Sequence, residues 1–416
     1  MNQNIYKVNR ENLLNKIKDN SIVILFAGKA VQKTGDQTYP FTPNRNFYYL
    51  TGIKEEDHIL VMSKINGIKT SKLYIKDIDL ELEKWVGKSI RKEEASKLTE
   101  VDEVKFKSQF DADIHGMITM KEEVNLYLDL EKMSANREVT ISHRFANEIV
   151  IKYPQVRINN IYSKIGELRL IKSQEEVEKI KKAIEITKSG IERLMTEARV
   201  GMKEYELEAY FDFNCKVKGA TGLAFTTIAA AGKNATTLHY IDNNSELKEN
   251  DLILFDLGAE YNCYNADISR TFPVSGKFTE RQKEVYNSVL KVNEEIIKLI
   301  KPGMKYKDVN EKATDLIAEE CIKLGLIEDK KDVRKYYYHS IGHSLGMDTH
   351  DIETPHRDIT FEPGVVFTVE PGIYIEEEGI GIRIEDDILV TEDGVINLSS
   401  DIIKSVDDIE EFMKKI

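Results

Sequence analysis

The sequence predicts a protein of the α/β (α+β) class with two domains, the second of which is built from two similar halves. A chain of 416 residues is longer than one typical domain. Up to about residue 165, strand-length runs alternate with charged, helix-like segments, and beyond it a helix-helix-hairpin pattern occurs twice. We therefore assign residues 1–165 to the first domain and residues 166–416 to the second.

The first domain is predicted to be an α/β unit with short strands. The charged segment Lys88–Leu98 is typical of a helix, and core packing best explains the aromatic stretch at residues 39–52. For Trp85, the lone tryptophan, burial and exposure at an interface or pocket remain equally compatible with the sequence. Four runs rich in β-branched and aromatic residues are the predicted strands: Ser21–Ala27, Ile59–Met62, Lys72–Ile75 and Asn125–Leu128.

The second domain begins with a helix whose start is well marked. Ser173 opens an S-x-x-E capping box, and apolar residues follow at steps of three and four. Thr279 opens a T-x-x-Q box before a second helix of the same kind. Gly-Met-Lys follows both helices, at 201–203 and at 303–305, and a further helical stretch follows each copy. This recurrence indicates a duplicated unit.

The first predicted hairpin lies within residues 252–271, LILFDLGAEYNCYNADISRT. Two β-type runs flank a turn-rich segment, which is typical of a hairpin with a loop of several residues. Asp256 follows four apolar residues and Asp267 precedes Ile268, so both carboxylates would lie close together in the wall of a sheet. Two ionised carboxylates held that close repel, and they must share a proton or bind cations.

A second predicted hairpin carries two more acids at breaks in its apolar pattern. Glu370 follows the run at residues 364–369, and Glu385 follows the run at residues 381–384. Pro371 comes directly after Glu370 and interrupts the ladder of hydrogen bonds there. Between the hairpins lies HSIGHSLG, which contains His343 and whose glycines favour a loop or a strand with close backbone packing.

The duplication extends to the candidate site. His239 precedes the first hairpin as His350 precedes the second, and Asp256 and Glu370 occupy similar places in the two hairpins. Two halves related by a pseudo-twofold axis would bring the acids of both hairpins to one central point. Four carboxylates in one pocket repel unless they are compensated, and two divalent cations would balance their four charges.

Composition narrows the function classes. A net charge of −13, with dispersed basic residues, disfavours nucleic acid or an anionic membrane as a partner. No run approaches the length of a membrane span, and the first residues lack the apolar core of a signal peptide. Three widely spaced cysteines without a C-x-x-C pair favour a reduced, cytoplasmic compartment.

Together these motifs resemble the pita-bread metallopeptidases, and most closely the branch that contains Xaa-Pro aminopeptidase (aminopeptidase P) and prolidase. The matching motifs are LFDLGAEYNCYNADISRTFPV, HSIGHSLGMDTHD, TVEPGIYI and GIGIRIEDDILVT, in that order within residues 173–405. FTPNRNFYYLTG and EKWVGK are similar to the creatinase-like domain that precedes the catalytic domain in this branch. The resemblance implies a creatinase-like α/β domain followed by a pita-bread domain with duplicated halves.

The resemblance also implies a site with two divalent metal ions. Its five ligands would be Asp256, Asp267, His343, Glu370 and Glu385, of which Asp267 and Glu385 would bridge the ions. An oxygen-rich shell with one imidazole suits Mn²⁺, with Co²⁺ or Zn²⁺ as alternatives. In this family a hydroxide that bridges the metals attacks the scissile carbonyl. Glu370 would also act as acid and base, delivering a proton to the prolyl leaving nitrogen.

Other site residues follow from the same resemblance. His239 and His350 match histidines that line the substrate pocket and stabilise the tetrahedral intermediate, and Arg383 matches an arginine near the substrate. Tyr374 is a weaker candidate for a substrate contact. Trp85 aligns with a tryptophan that reaches a neighbouring subunit's active site in aminopeptidase P, which implies a homodimer or a higher homo-oligomer.

Two acids beside the predicted site are excluded from it. We expect Asp386 and Asp387 to cap or solvate the end of a strand.

Three functions remain open at this point. The favoured one is an Xaa-Pro aminopeptidase, which removes an N-terminal residue ahead of proline from peptides of the form Xaa-Pro-Yaa. A prolidase, which cleaves only Xaa-Pro dipeptides, would share the metal ligands. The third is a pita-bread module that has lost its activity and binds protein partners, although such a module should lack ligands that this sequence retains.

Overall fold

The structure is a computed structural model that describes residues 4–131, 134, 136, 138–351 and 359–414. The chain divides into two compact units, residues 1–168 and residues 169–416. Across the described ranges, every helix is too short or too polar to cross a lipid bilayer.

A six-stranded mixed sheet forms the centre of the first unit. Its strand order is β6-β5-β4-β1-β7-β8, with β4 antiparallel to both of its neighbours and the remaining pairs parallel. The bounds are β1 Ser21–Phe26, β2 Gln32–Thr34, β3 Gln37–Thr38, β4 Ile59–Ile65, β5 Ile68–Ile75, β6 Glu103–Phe106, β7 Val124–Leu128 and β8 Val156–Asn160. All four predicted strands are therefore confirmed, with shifted ends.

The helices of the first unit bury the predicted aromatic segment and leave Trp85 exposed. Phe47, Tyr48 and Tyr49 are buried in α2, so core packing is confirmed for this part of the segment, whereas Tyr39 at its start is 51% exposed. Trp85 lies in α3 with 87% of its surface exposed. The bounds are α1 Ile5–Asn15, α2 Arg45–Thr51, α3 Leu80–Val86, α4 Lys92–Thr99, α5 Phe110–Thr119, α6 Ile141–Lys152 and, crossing into the second unit, α7 Tyr162–Leu170.

Two helix pairs in the second unit confirm the duplicated pattern. Ser173 and Thr279 cap the longer helix of each pair through complete capping boxes. In the first pair α8 packs on α9, and in the second α10 packs on α11. The bounds are α8 Gln174–Glu197, α9 Glu204–Val217, α10 Glu280–Leu299, α11 Tyr306–Lys323 and α12 Val406–Lys414.

Each helix pair is followed by a hairpin, and in the second hairpin the strand pairing resumes beyond the predicted interruption. In the first, β11 pairs with β14 in antiparallel register, and Asp256 lies opposite Ser269. In the second, β15 pairs with β18 and β16 with β17, so one long hairpin is broken on both sides at residues 370–371 and 384–385. Pro371 has no N–H group for the ladder, and the N–H groups of Glu370 and Glu385 donate outside the hairpin, to the carbonyls of Ile341 and Ser269.

The remaining strands of the second unit extend these hairpins. A three-stranded sheet has the order β10-β11-β14, another has the order β15-β18-β19, and a third has the order β13-β12-β9. The bounds are β9 Gly222–Leu223, β10 Ile228–Ala231, β11 Leu252–Leu257, β12 Ala259–Tyr261, β13 Tyr264–Asn265, β14 Ile268–Pro273, β15 Val366–Val369, β16 Gly372–Ile375, β17 Ile380–Arg383, β18 Asp386–Val390 and β19 Val395–Asn397.

Candidate metal centre

The first hairpin supplies two acids from neighbouring strands. Asp256 lies within β11, and Asp267 is the residue immediately before β14. Asp267 is 4% exposed, and its backbone N–H donates to Oδ2 of Asp387 over 3.2 Å. Because the strands pair directly, the two carboxylates are close enough for the charge of Asp256 to raise the pKa of Asp267.

The break in the second hairpin supplies the other two acids. Glu370 leaves the ladder after β15, and Glu385 leaves it before β18. The Glu385 N–H donates to the carbonyl of Ser269 over 3.1 Å, so the break of the second hairpin lies against the first. The Ser269 hydroxyl also donates to Oε2 of Glu385 over 2.8 Å. The tertiary contact between the two halves thus brings their acids together.

His343 enters the site from the loop before the second hairpin. Its backbone N–H donates to Oγ1 of Thr368 over 3.1 Å, and the Thr368 N–H donates to the His343 carbonyl over 2.9 Å. Gly342 packs so closely that a Cβ there would lie 2.0 Å from the Thr368 carbonyl oxygen. The predicted loop with close backbone packing is confirmed, and Gly342 is what permits it.

We expect Gly342→Ala to destabilise the protein by about 1–3 kcal/mol, because the added methyl group has no space without a backbone shift. The measurement is the midpoint of chemical unfolding of the metal-loaded protein. Gly222→Ala is the matched control, since nothing lies within 4 Å of the Cβ added at that exposed position. Equal midpoints for the two variants would contradict this account of the loop.

The distances define a compact cluster of the predicted ligands. One ligand atom from each of Asp267, His343 and Glu385 lies within 4.8 Å of the other two. His343 Nε2 is 3.4 Å from Oδ2 of Asp267 and 3.7 Å from Oε1 of Glu370. Asp256 completes the set, because its charge acts on the pKa of Glu370 and Glu385 as well as on that of Asp267. All five predicted ligands therefore converge on one place.

The electrostatics of this cluster suit cations. Burial and the neighbouring carboxylates raise the pKa of Asp267 and of Glu385 well above the usual range. Burial also raises the pKa of Glu370, to about 6. Oδ1 of Asp256 is buried and accepts no hydrogen bond from the part of the chain that the structure describes. Carboxylates that repel one another and an oxygen without a donor are what divalent cations would satisfy, so these residues fit a dinuclear metal site.

Comparison with known proteins agrees with this geometry. The sequence matches metallopeptidase family M24 over residues 178–392 and the aminopeptidase P N-terminal domain over residues 6–127. The Xaa-Pro aminopeptidase of Escherichia coli K12 is 33% identical, with 97% of this chain and 96% of that protein covered. The chain belongs to the Xaa-Pro aminopeptidases of metallopeptidase family M24.

Solved structures of the Xaa-Pro aminopeptidases share the fold over the whole chain. A provisionally assigned aminopeptidase P from Bacillus anthracis is 47% identical with a TM-score of 0.97, covering 100% of this chain and 99% of that one. Aminopeptidase P from E. coli, solved with the inhibitor Pro-Leu, is 32% identical with a TM-score of 0.91, with the same coverage. The predicted class, a creatinase-like domain followed by a pita-bread domain, is thus confirmed.

In this Xaa-Pro aminopeptidase, Arg383 contacts a predicted ligand. Its guanidinium is buried and donates to Oδ2 of Asp256 over 2.7 Å, to the Ser269 hydroxyl over 2.8 Å and to the Tyr374 hydroxyl over 3.0 Å. Arg383 therefore forms a buried ion pair with a predicted ligand and not a salt bridge at the surface. Tyr374 is itself buried, and its hydroxyl is 2.8 Å from Nε2 of His339.

The predicted pocket histidines are more exposed than the ligands. The rings of His350 and His343 meet edge to face with centroids 4.2 Å apart. Partial desolvation, together with the charges of His343 and His239, lowers the pKa of His350 to about 4. His239 is exposed and lies near enough for its charge to act on His350. Both imidazoles are therefore placed at the open side of the cluster.

The sequence analysis missed the buried residues that pack beside the predicted ligands and form hydrogen bonds and ion pairs there. Asp386 and Asp387 are fully buried, so the expectation that they solvate a strand end is wrong. Asp386 is held by Arg270 over 2.7 Å and by Lys404 over 2.6 Å, and Asp387 accepts from the Asp267 N–H. Acids inside the strand-like run IEDDILV were the available signal, because an exposed strand end would not continue into apolar residues.

Proposed function

We propose that this protein hydrolyses the bond between an N-terminal residue and a following proline in peptides of the form Xaa-Pro-Yaa. The observation that carries the proposal is the convergence of four carboxylates and His343 at the junction of the two hairpins. Family membership supports the substrate class. Pro-Leu, the inhibitor bound to the E. coli enzyme, is what remains after an Xaa-Pro-Leu peptide has lost its first residue.

We also propose that the resident ions are two Mn²⁺, with Co²⁺ and Zn²⁺ as the alternatives. Asp256, Asp267, His343, Glu370 and Glu385 would hold them, and this oxygen-rich shell with one imidazole suits Mn²⁺. When bound, the ions supply a Lewis acid and lower the pKa of a water molecule to about 7. A Zn-substituted form of the E. coli enzyme has been solved with product, so zinc fits the related site.

Glu370 is the proposed proton carrier. Its carboxylate lies near two histidines, with Oε2 3.8 Å from Nδ1 of His339 and Oε1 3.7 Å from Nε2 of His343. A prolyl nitrogen carries no hydrogen, so the scissile amide becomes a leaving group only when that nitrogen is protonated. In the proposed mechanism Glu370 accepts a proton from the attacking water and delivers it to this nitrogen.

The remaining polar residues divide into two groups. His239 and His350, at the open side of the cluster, would contact the substrate and stabilise negative charge on the carbonyl oxygen. Arg383 would act mainly through Asp256, whose carboxylate it orients, and Tyr374 would act through Arg383. In this account Arg383 and Tyr374 are positioning residues more than substrate ligands.

Assembly and compartment are further parts of the proposal. Trp85 is 87% exposed in α3, which suits a contact with another copy of the chain. We propose a homodimer or a higher homo-oligomer in which Trp85 contributes to the substrate pocket of a neighbouring subunit. The three cysteines are buried and widely spaced along the chain, without a C-x-x-C motif, which supports a reduced, cytoplasmic compartment.

The deciding experiment compares two peptides. Mn²⁺-loaded protein is expected to cleave Xaa-Pro-Yaa and to lose this activity with a chelator, because the proposed nucleophile requires the ions. The measurement is release of the free N-terminal residue from the tripeptide and from the dipeptide Xaa-Pro. Cleavage of the dipeptide alone would make the protein a prolidase. No cleavage of either peptide by protein with both ions bound would favour the inactive binding module.

We expect His239→Ala to keep both metal ions but to lower kcat on the tripeptide by about 10²-fold, because His239 is proposed to stabilise charge without binding metal. Metal content is measured alongside turnover. His115→Ala is the matched control, since His115 is an exposed histidine in the first unit, next to Tyr153. Loss of metal in His239→Ala would show that this histidine is a ligand instead.

A further inference from the structure

A closed loop joins the predicted ligand His343 to the predicted pocket residue His350. It spans residues 344–351 and is closed at its base, where the Asp351 N–H donates to the Ser344 carbonyl over 2.9 Å. His343 directly precedes this loop, and His350 is its next-to-last residue. Their rings meet with centroids 4.2 Å apart. The position of the His350 ring therefore depends on how the end of this loop is fixed.

Asp351 fixes the end of the loop through two buried cations. Its Oδ1 lies 2.5 Å from Nη2 of Arg169, and its Oδ2 lies 3.0 Å from Nζ of Lys172. All three side chains are at most 3% exposed. Gly346 packs on this carboxylate, since a Cβ there would lie 2.5 Å from Oδ2 of Asp351. Each oxygen of the Asp351 carboxylate therefore pairs with one cation, and the loop backbone at Gly346 packs directly against this carboxylate.

The segment that carries the two cations is also tied to the second hairpin. The Lys172 N–H donates to the Gly364 carbonyl over 2.8 Å, and Ile171 forms an antiparallel bridge with Val365. Val365 is followed by β15, which leads to Glu370. One short segment therefore contacts both the residues that lead into β15 and the loop that carries His350.

We propose that Asp351 is a positioning residue, which uses Arg169 and Lys172 to hold His350 beside His343 in the geometry needed for turnover. This inference rests on the proposed function, because it takes His350 to contact the substrate. The buried cations suit this role, since an ion pair that is fully buried and bonded at both oxygens allows little movement. Burial opposes the charge of Asp351, but the two cations lower its pKa to about 2, so it stays ionised.

The test is a double-mutant cycle between Asp351→Asn and His350→Ala in the metal-loaded protein. Asp351→Asn alone is expected to lower kcat by about 10- to 100-fold with both metal ions retained, because a small misplacement of a catalytic group costs up to about 10²-fold. In the His350→Ala background it should cause almost no further loss, because its effect passes through that imidazole. Multiplying losses, or loss of metal in Asp351→Asn, would overturn the proposal.

Asp348→Asn is the matched control. Asp348 lies in the same loop and contacts the same arginine over 2.7 Å, but its side chain is 44% exposed. Its removal leaves the Asp351 pairs intact, so kcat should stay within about twofold of the wild-type value. A loss as large as that of Asp351→Asn would contradict a special role for Asp351.

If Asp351→Asn does not fold, Lys172→Met replaces it in the same double-mutant cycle. Lys172→Met keeps the contact between Asp351 and Arg169, so a smaller loss of kcat is expected.

A second readout does not depend on activity. Spectra of ¹⁵N-histidine in the Zn²⁺-loaded protein report the ring signals of all eight histidines, and His350→Ala identifies the signals of His350. We expect one sharp set of His350 signals in the wild type and broadened or doubled signals in Asp351→Asn, with Asp348→Asn unchanged. Unchanged His350 signals in Asp351→Asn would overturn the inference. Because the spectra need no substrate, they test whether Asp351 holds His350 even if the wild type cleaves neither peptide, so failure of this inference and failure of the proposed function are distinguishable.

Discussion

Replacing Asp267 with Ala is expected to abolish metal binding and peptide hydrolysis together, with kcat falling by at least about 10³-fold. Asp267 lies 3.4 Å from His343 and within 4.8 Å of the nearest ligand atom of Glu385. As a proposed bridging ligand it serves both ions, so its loss removes more than one coordination bond. The measurement is the number of ions bound per chain after dialysis, determined on the same samples as kcat for an Xaa-Pro-Yaa peptide.

Two further results make the Asp267 experiment decisive. Glu392→Ala removes an exposed carboxylate of the second unit and should leave both metal content and kcat unchanged. The metal-free Asp267→Ala protein should still fold, because the substitution removes one of the carboxylates that repel one another in the cluster. Wild-type turnover by an Asp267→Ala protein free of metal would refute the metal-dependent mechanism.

Replacing Glu370 with Gln is the second change with a very large expected effect. Glutamine keeps the shape of the side chain and one oxygen that can coordinate, but it cannot accept a proton. If Glu370 transfers the proton to the prolyl nitrogen, kcat should fall by about 10²–10⁴-fold. The loss of bound metal should be smaller than in Asp267→Ala, because an oxygen ligand remains. Rapid-mixing turnover and metal content on the same preparation separate the two effects.

The control for Glu370 uses the same substitution at an exposed position. Glu377 pairs with Lys335 over 3.0 Å, and its side chain is 58% exposed, so Glu377→Gln should leave kcat within about twofold of wild type. A Glu370→Gln enzyme with both metals bound and kcat within tenfold of wild type would exclude Glu370 as the proton carrier. In that case another group at the open side of the cluster would have to carry the proton.

Local chemistry made the secondary structure predictable. The capping boxes at Ser173 and Thr279 and the apolar steps that follow them specify two helices, and the structure contains both. The strand run Ile59–Met62 was recognisable because all four of its residues are apolar and two of them are β-branched. The break in the second hairpin was only half predicted. Pro371 signals that a ladder stops, but the resumption of pairing at Gly372 depends on the facing strand, which local sequence does not specify.

The sequence by itself determined the helices, the duplicated pattern and, through family resemblance, the five candidate ligands. Those features depend on residues that are close along the chain, or on sequence motifs that match those of the family. Only the tertiary structure decided which acids are buried and which cationic side chains pair with them. Asp386 is buried because Arg270 and Lys404, each distant in sequence, neutralise it, and Arg383 reaches Asp256 only because the two hairpins meet. The physical reason is that the cost of burying a charge depends on partners brought near by folding, and sequence spacing does not specify those partners.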